Sequence, residues 1–199
     1  MEKSDKSSFV MCYVFHLIFL LVKFLAVSSG MEEILGLLRI RVKRGLNLVG
    51  RDRSSSDPFV VITMGQQKVR TRVIKNSINP EWDDEVTLSI ADLSIPIHLS
   101  VFDKDTFTGD DEMGSAEIDM QPYVAALKMG LTDLPNGCVV SRVEPSSSNF
   151  LADESCIVWK DEKLVQDMLL KLQNVERGDV ELQVEWIHGH GCKGLGADG

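Results

Sequence analysis

From Met31 onward the dominant period of this sequence is two. "LLRIRVKRGL" sets Leu38, Ile40 and Val42 against Arg39, Arg41 and Lys43. Successive side chains of an extended chain point to opposite faces, so this alternation belongs to a strand with one buried face and one wet face. "DPFVVITM" and "QKVRTRVI" flank a turn at Gly65, and "DEVTLSI", "PIHLSVFD", "DEMGSAEI", "SCIVWK" and "DVELQVEW" follow as further strands. Gly45, Pro58, Gly65, Pro80, Pro96 and Gly114 interrupt the pattern at short intervals. The expectation is an all-β chain, an antiparallel sandwich of about eight strands.

Helical spacing occurs twice, both times late. "MQPYVAALKMG" predicts a short helix with proline near its start. "DEKLVQDMLLKLQNV" places Leu164, Met168, Leu169 and Leu172 on one stripe with Asp161 and Glu162 in the first turn. That predicts a second helix packed on the sandwich, with a partner-binding helix as the alternative. Between them "PNGCVVSRVEPSSSNFLADES", with Pro145 and its serine run, predicts an exposed loop.

A chain of 199 residues, 44% hydrophobic and 26% charged, suits one globular domain and an appendage. The appendage is residues 1–30. "FVMCYVFHLIFLLVKFLAV" follows Lys3 and Lys6 and leads into small residues up to Gly30. It reads as a signal peptide, as a short membrane anchor interrupted by His16 and Lys23, or as an upstream extension of a protein that starts at Met31. Residues 31–188 form the domain and 189–199 a flexible glycine-rich tail. A formal charge of -9 disfavours nonspecific nucleic-acid binding. Cys12, Cys138, Cys156 and Cys192 are scattered without a CxxC pair, which indicates neither a zinc site nor a disulfide framework. His188, His190 and Cys192 in the tail lack a rigid support for a soft metal.

"VFDKDTFTGDDEMG" gathers Asp103, Asp105, Asp110, Asp111 and Glu112 around Lys104, just beyond a strand. "VGRDRSSSDPFV" puts Asp52 past the first strand and Asp57 before the second. If the two loops are neighbours at one end of the sandwich, five aspartates, Asp52, Asp57, Asp103, Asp105 and Asp111, face a common space. Unit charges about 4 Å apart repel by roughly 1 to 4 kcal/mol per pair, depending on the effective dielectric, and a divalent cation relieves this. Short Asp side chains with supplementary carbonyls suit Ca²⁺ better than Mg²⁺, which holds its waters in a strict octahedron, and no soft ligand nearby favours zinc.

In this order, "SDPFV", "NPEWDDEV" and "VFDKDTFTGDDEMG" resemble the C2 domain, the calcium-dependent phospholipid-binding β-sandwich of protein kinase C and synaptotagmin, from about Leu37 to Ile187. The resemblance implies that the two acidic loops are neighbours. It implies Ca²⁺ ligands at Asp52, Asp57, Asp103, Asp105 and Asp111, with the carbonyls of Arg51 and Lys104 contributing, and Asp110 and Glu112 supplying field. The opening strand leads straight into the first loop and "DVELQVEW" closes the chain, which resembles the permuted, type II topology. Lys68, Arg70, Arg72 and Lys75 in "KVRTRVIK" are then an anionic-lipid patch, for which the alternative is a solvated strand face. Phe107, between two threonines at the loop tip, is an apolar wedge for the headgroup region.

A narrower resemblance, carried by "MEEILGLLRIRVKRGLNL", "SDPFVVITMGQQKVRTRVIKNSINPEWDDEVTLSI" and the long segment from Asp133 to Trp186, is to the plant C2-domain ABA-related family. Its signature is a segment, here about residues 130–175, inserted before the last strand and expected to carry one or two short helices. That family begins at the equivalent of Met31, which weakens the signal-peptide reading. The resemblance implies a non-catalytic adaptor that binds anionic phospholipid with Ca²⁺, brings abscisic acid receptors to the plasma membrane, and stimulates an Obg-like (YchF-type) GTPase/ATPase. It also implies residence in cytosol and nucleus, with the inserted segment as the protein-binding surface. The alternative is a membrane-anchored or secreted C2 protein with a different partner. An enzyme is the rival class, but no His or Cys nucleophile accompanies the acidic loops and no GxxxxGK[ST] loop is present.

Overall fold

The computed structural model describes residues 34–50, 56–105, 109–188 and 192–195. The apolar run of residues 9–27 lies outside them. The described strands, all paired antiparallel, form two sheets. The strands are β1 (Gly36–Leu46), β2 (Pro58–Met64), β3 (Gln67–Arg70), β4 (Glu81–Ile90), β5 (Ile97–Asp103), β6 (Asp111–Ile118), β7 (Cys138–Val143), β8 (Ser155–Lys160), β9 (Lys163–Lys171) and β10 (Asp179–Ile187). One sheet has six strands in the order β4-β1-β10-β9-β8-β7, and the other has four, in the order β3-β2-β5-β6. β10 lies between β1 and β9, with Ile40 opposite Val184, so the closing strand is central to the larger sheet as the type II topology requires.

The alternation read from the sequence is the packing of the core. Leu38, Ile40 and Val42 of β1 and Leu182, Val184 and Trp186 of β10 face Val60, Ile62 and Met64 of β2 and Leu99 and Val101 of β5, all buried. Removing a side chain of this size from water is worth about 1.5–3 kcal/mol each. The first expected helix is present as α1 (Gln121–Lys128), with Pro122 in its first turn where a missing N–H costs nothing. The buried Tyr123 hydroxyl donates to the Leu164 carbonyl at 2.6 Å and accepts the Trp186 N–H at 2.9 Å, which ties α1 to β9 and β10. Burial pushes that hydroxyl's pKa up.

The second expected helix is absent: Lys163–Lys171 is strand β9. Its inward row is Leu164, Gln166, Met168 and Leu170, all buried, at a period of two. A repeat of four residues fits both a helix turn and two strand steps, so Leu164, Met168 and Leu172 are compatible with either. Gln166 hides the alternation; it is accommodated inside by donating to Ser155 Oγ at 2.9 Å. The preceding Asp161 and Glu162 do not open a helix but form a tight turn, both at positive φ (49° and 63°), of the kind that joins two-residue hairpins. Asn136 holds this turn, accepting the Asp161 N–H at 2.7 Å. The serine-containing stretch is likewise a loop only in part, since Cys138–Val143 is strand β7. The sandwich thus has ten described strands rather than eight, the additions being β7 and β9. The inserted segment widens the larger sheet instead of adding a helix, and α1 precedes it. Among the described residues no helix is long and apolar enough to cross a membrane.

Candidate functional site

The end of the sandwich where β1, β3, β5 and β9 finish and β2, β4, β6 and β10 begin carries both acidic loops. Register brings them together: Pro58 stands opposite Asp103, and Asp103 opposite Asp111. Along β5 the inward row runs Ile97, Leu99, Val101 and then Asp103, so the strand's own geometry puts a carboxylate where a core side chain would be. Asp103 is only 3% exposed.

Its two oxygens are treated differently. Asp103 Oδ1 accepts the main-chain N–H of Asp57 at 2.6 Å. Asp103 Oδ2 is buried and has no hydrogen-bond partner among the described residues. A buried polar group without a partner costs about 1–3 kcal/mol, and more when charged. Asp57, half-buried, accepts the Asn76 N–H on Oδ1 at 2.9 Å, while its carbonyl takes the Lys104 N–H at 3.0 Å. Asp105 is half-buried and Asp111 exposed. Lys104 Nζ donates to Asp110 Oδ1 at 2.7 Å, and the Asp105 N–H reaches the same oxygen at 3.3 Å. The Lys104 hydrogen bond holds the Asp110 carboxyl below its ordinary pKa. The lysine in the loop is thereby committed to Asp110.

Among the described residues no three His, Cys, Asp or Glu side chains form a group able to hold a metal ion. Arg51, Asp52 and Phe107 lie outside the described residues. The described part is therefore Asp57 and Asp103 joined by a hydrogen bond, with Asp105 and Asp111 beside them. Donor chemistry and the orphaned Oδ2 both fit a hard cation with oxygen ligands.

The basic row divides. Lys68 and Arg70 share the exposed face of β3. Arg70 lies over the Phe59 ring, 5.9 Å from its centroid, and Phe59 stacks on Phe102 at 5.7 Å. Arg72 falls after the strand, with Nε 3.6 Å from Asp84 and Nη2 on the Glu81 carbonyl. Lys75 is exposed beside Asn76, at the aspartate end. Two supports are not evident from the sequence pattern. Trp82, wholly buried, donates its indole N–H to the Pro58 carbonyl at 3.0 Å and so fixes the start of β2. Asn76, at φ 56°, uses a left-handed conformation that Asn tolerates to aim its N–H at Asp57. "NPEW" and the Asn itself are the available signals.

The sequence from 36 to 133 matches the C2 domain family. Protein C2-DOMAIN ABA-RELATED 10 of Arabidopsis thaliana is 55% identical over 166 residues, 82% of this chain and 92% of the relative. Protein C2-DOMAIN ABA-RELATED 4 of the same plant is 54% identical over 168 residues, 84% of this chain and 95% of the relative. Among solved structures, the calcium-bound tandem C2 domains of Extended-Synaptotagmin 2 superpose with TM-score 0.53 at 22% identity, covering 77% of this chain and 46% of that one, a likeness of fold.

Proposed function

The chain belongs to the C2 domain family and within it to the C2-domain ABA-related proteins, and from that premise we propose that it is a calcium-dependent adaptor, a binding module that docks peripherally on anionic phospholipid. The observation that carries this is Asp103 Oδ2, a buried carboxylate oxygen with no hydrogen-bond partner among the described residues, at the junction of two aspartate loops. Asp52, Asp57, Asp103, Asp105 and Asp111 would hold Ca²⁺, with the carbonyls of Arg51 and Lys104. The ion supplies the positive charge that turns an end repelling phosphate into one that approaches it. Lys68, Arg70, Arg72 and Lys75 add attraction, on the order of 1 kcal/mol for each residue that reaches the surface. Phe107 supplies the apolar contact.

Calorimetry on the full chain tests the first half. Saturable Ca²⁺ binding that disappears in Asp103→Ala plus Asp105→Ala is expected, and undiminished binding in that variant overturns the assignment. Sedimentation with phosphatidylserine vesicles tests the second. Binding should need Ca²⁺, vanish with chelator and weaken with salt; equal binding to phosphatidylcholine vesicles without Ca²⁺ overturns it.

The names of the relatives support a role in abscisic acid signalling. We assign recruitment of abscisic acid receptors to the plasma membrane, and stimulation of an Obg-like GTPase/ATPase, to the inserted segment, Gly130 to Val175. In it β7 forms an edge of the larger sheet, with Val139 41% exposed and Arg142 paired with Glu154. Val139→Glu with Arg142→Glu should abolish receptor or hydrolase pull-down and preserve vesicle binding, while the Asp103 and Asp105 changes do the reverse. Loss of both activities in every folded variant means one shared surface and ends this division of labour.

A further inference from the structure

Two open sheets have four edges, and in this domain the chain itself closes three of them. The β3 and β4 edges close on each other. The Gln67 side chain donates to the Ser89 carbonyl at 2.7 Å and accepts the Ser89 N–H at 2.8 Å, as a neighbouring strand would. Further along, Asp84 accepts the Arg72 N–H at 2.6 Å, and Arg72 Nη2 reaches the Glu81 carbonyl at 3.4 Å. β6 is closed by the segment after β9: the main chains of Ser115 and Gln173 exchange hydrogen bonds at 3.2 and 2.7 Å. The fourth edge is β7, the outermost strand of the larger sheet.

β7 has β8 on one side and no strand on the other. At its start the Cys138 N–H is taken by the Pro135 carbonyl, and just past its end the Glu144 carbonyl accepts the Asn149 amide. Between them the Val139 carbonyl has the Cys138 thiol at 4.0 Å, and Val140 to Val143 make no main-chain hydrogen bond beyond the ladder with β8 among the described residues. An unpaired edge is a template for another chain, which proteins commonly blunt with proline, lysine or a cover. β7 contains neither proline nor lysine, and its one charged side chain, Arg142, is paired with Glu154. A bulge between Val139 and Ser141 bends the strand, which suits a short segment and not the matching edge of a second copy. The side chains around the edge then select. Val139 is exposed opposite Val158, and beyond the other end of β7 Glu144 and Asp153 are exposed with no basic partner among the described residues.

We propose that β7 takes up an extended segment of a partner protein as an added antiparallel strand, with a basic residue of the segment near Glu144 and Asp153 and an apolar one beside Val139. This rests on the reading of the inserted segment as the protein-binding surface and adds its mode. Main-chain hydrogen bonds supply the affinity, and the two side chains supply the selection. In an antiparallel pair the incoming segment starts where β7 ends, so its basic residue leads and its apolar residue follows.

The probe is the peptide acetyl-Arg-Thr-Val-Thr-Val-Thr-Val-amide, titrated into the full chain and followed by amide NMR and hydrogen exchange. Saturable binding is expected, with the largest shifts from Val139 to Val143 and slower exchange of the N–H groups there that point away from β8. Methylating alternate peptide nitrogens keeps every side chain and blocks one edge of the peptide. Of the two peptides so made, one should bind about tenfold more weakly or worse, having lost its main-chain donors, and the other should bind like the parent. Replacing the leading arginine by glutamate should weaken binding about fivefold at low salt, and Glu144→Lys with Asp153→Lys, both at exposed positions, should reverse that preference. Pull-down of receptor or hydrolase by the Val139→Glu, Arg142→Glu variant reports on the surface, and the peptide titration on the mode, so the two readings fail separately. No saturable peptide binding, equal affinity of the two methylated peptides, largest shifts outside β7, an unreversed charge preference, or β7 amides that a second copy protects as protein concentration rises each overturns the proposal.

Discussion

Two regions of this domain are rich in carboxylates, and they differ in where the opposing charge comes from. On the outer face of the larger sheet it is built in. β1 presents Arg39, Arg41 and Lys43 between β4 and β10, and they meet Glu185, Asp83, Asp167 and Glu181 at 2.6–3.2 Å. Arg44 and Lys163 add pairs to Glu181 and Glu185. At the loop end Lys104 is spent on Asp110, Asp57 and Asp103 have main-chain N–H groups, and Asp103 Oδ2 has no hydrogen-bond partner among the described residues. Alternation across adjacent strands neutralises a face from within. Among the described residues no cation reaches Asp103 Oδ2, and that opening is the difference between a structural surface and a candidate site.

The largest effect expected from this contrast is a crossed pair of variants. Asp103→Asn should lower Ca²⁺ affinity by about 100-fold or more and abolish the rise in melting temperature that Ca²⁺ produces. At a free ion concentration of 100 times Kd that rise reflects about 2.7 kcal/mol. Without Ca²⁺ the same variant should be as stable as the parent or more so, because an uncompensated buried charge has been removed. Glu181→Gln should do the opposite, destabilising the domain and leaving the Ca²⁺ response alone. Asp103→Asn that destabilises the calcium-free protein while keeping its Ca²⁺ response breaks the comparison.

Next in size is Lys43, which donates to both Asp167 at 2.6 Å and Glu181 at 3.2 Å. Burial lowers its pKa, but the hydrogen bonds and charges of Asp167 and Glu181 outweigh this and hold it above the ordinary lysine value. Lys43→Met should cost about 1 kcal/mol or less in urea denaturation, since a partly exposed pair is screened, with no change in Ca²⁺ affinity. A loss of Ca²⁺ binding would show that the two regions are coupled.

The face is more legible in sequence than the loop end, for a physical reason. Leu38, Ile40 and Val42 announce β1 because a strand half in water must alternate, and the charges on the other parity announce its wet side. β9 reads as a helix because its inward row contains Gln166, and because Leu164 and Met168 satisfy helix and strand spacing together. β7 reads as a loop because Val139 and Val140 are adjacent at a bulge, between Val139 and Ser141, that breaks the alternation. At the loop end the aspartates are readable as residues, yet their neighbourhood comes from resemblance. The contacts that create it, Asp57 with Asn76 and Asp103, and Trp82 with Pro58, join positions 19, 46 and 24 residues apart. No local pattern encodes them.

The acid limb of the stability curve sharpens the contrast further. Burial raises the pKa of Glu181, but hydrogen bonds and charges from Arg44 and Lys43 outweigh it, and the net shift is down. A carboxyl whose folded pKa lies below its unfolded value, about 4.3 for Glu, contributes stability that is present above that value and lost as pH falls through the folded pKa. Melting temperatures of the parent and Glu181→Gln, measured from pH 7 down to pH 3, should therefore draw together progressively as pH falls below about 4.3. A gap that does not narrow at all between pH 7 and pH 3 would mean that Glu181 acts through packing and not through its charge.

The smallest effect is expected at Lys104, and it tests the claim that the loop's own cation is spent. Lys104 and Asp110 are exposed enough, 45% and 28% of their side chains, that their pair adds little to folding. Lys104→Gln should leave the calcium-free melting temperature within error of the parent. It removes a positive charge from the neighbourhood of an incoming divalent cation and releases Asp110, so Ca²⁺ affinity should rise, by about threefold once solvent screening is allowed for. The rise should shrink as salt is added, because only the electrostatic part of the change depends on ionic strength. Calorimetry at two salt concentrations measures both. If the variant binds Ca²⁺ more weakly than the parent, the Lys104 side chain is helping to arrange the loop for the ion, and the lysine then belongs to the site and not to its internal counter-charge.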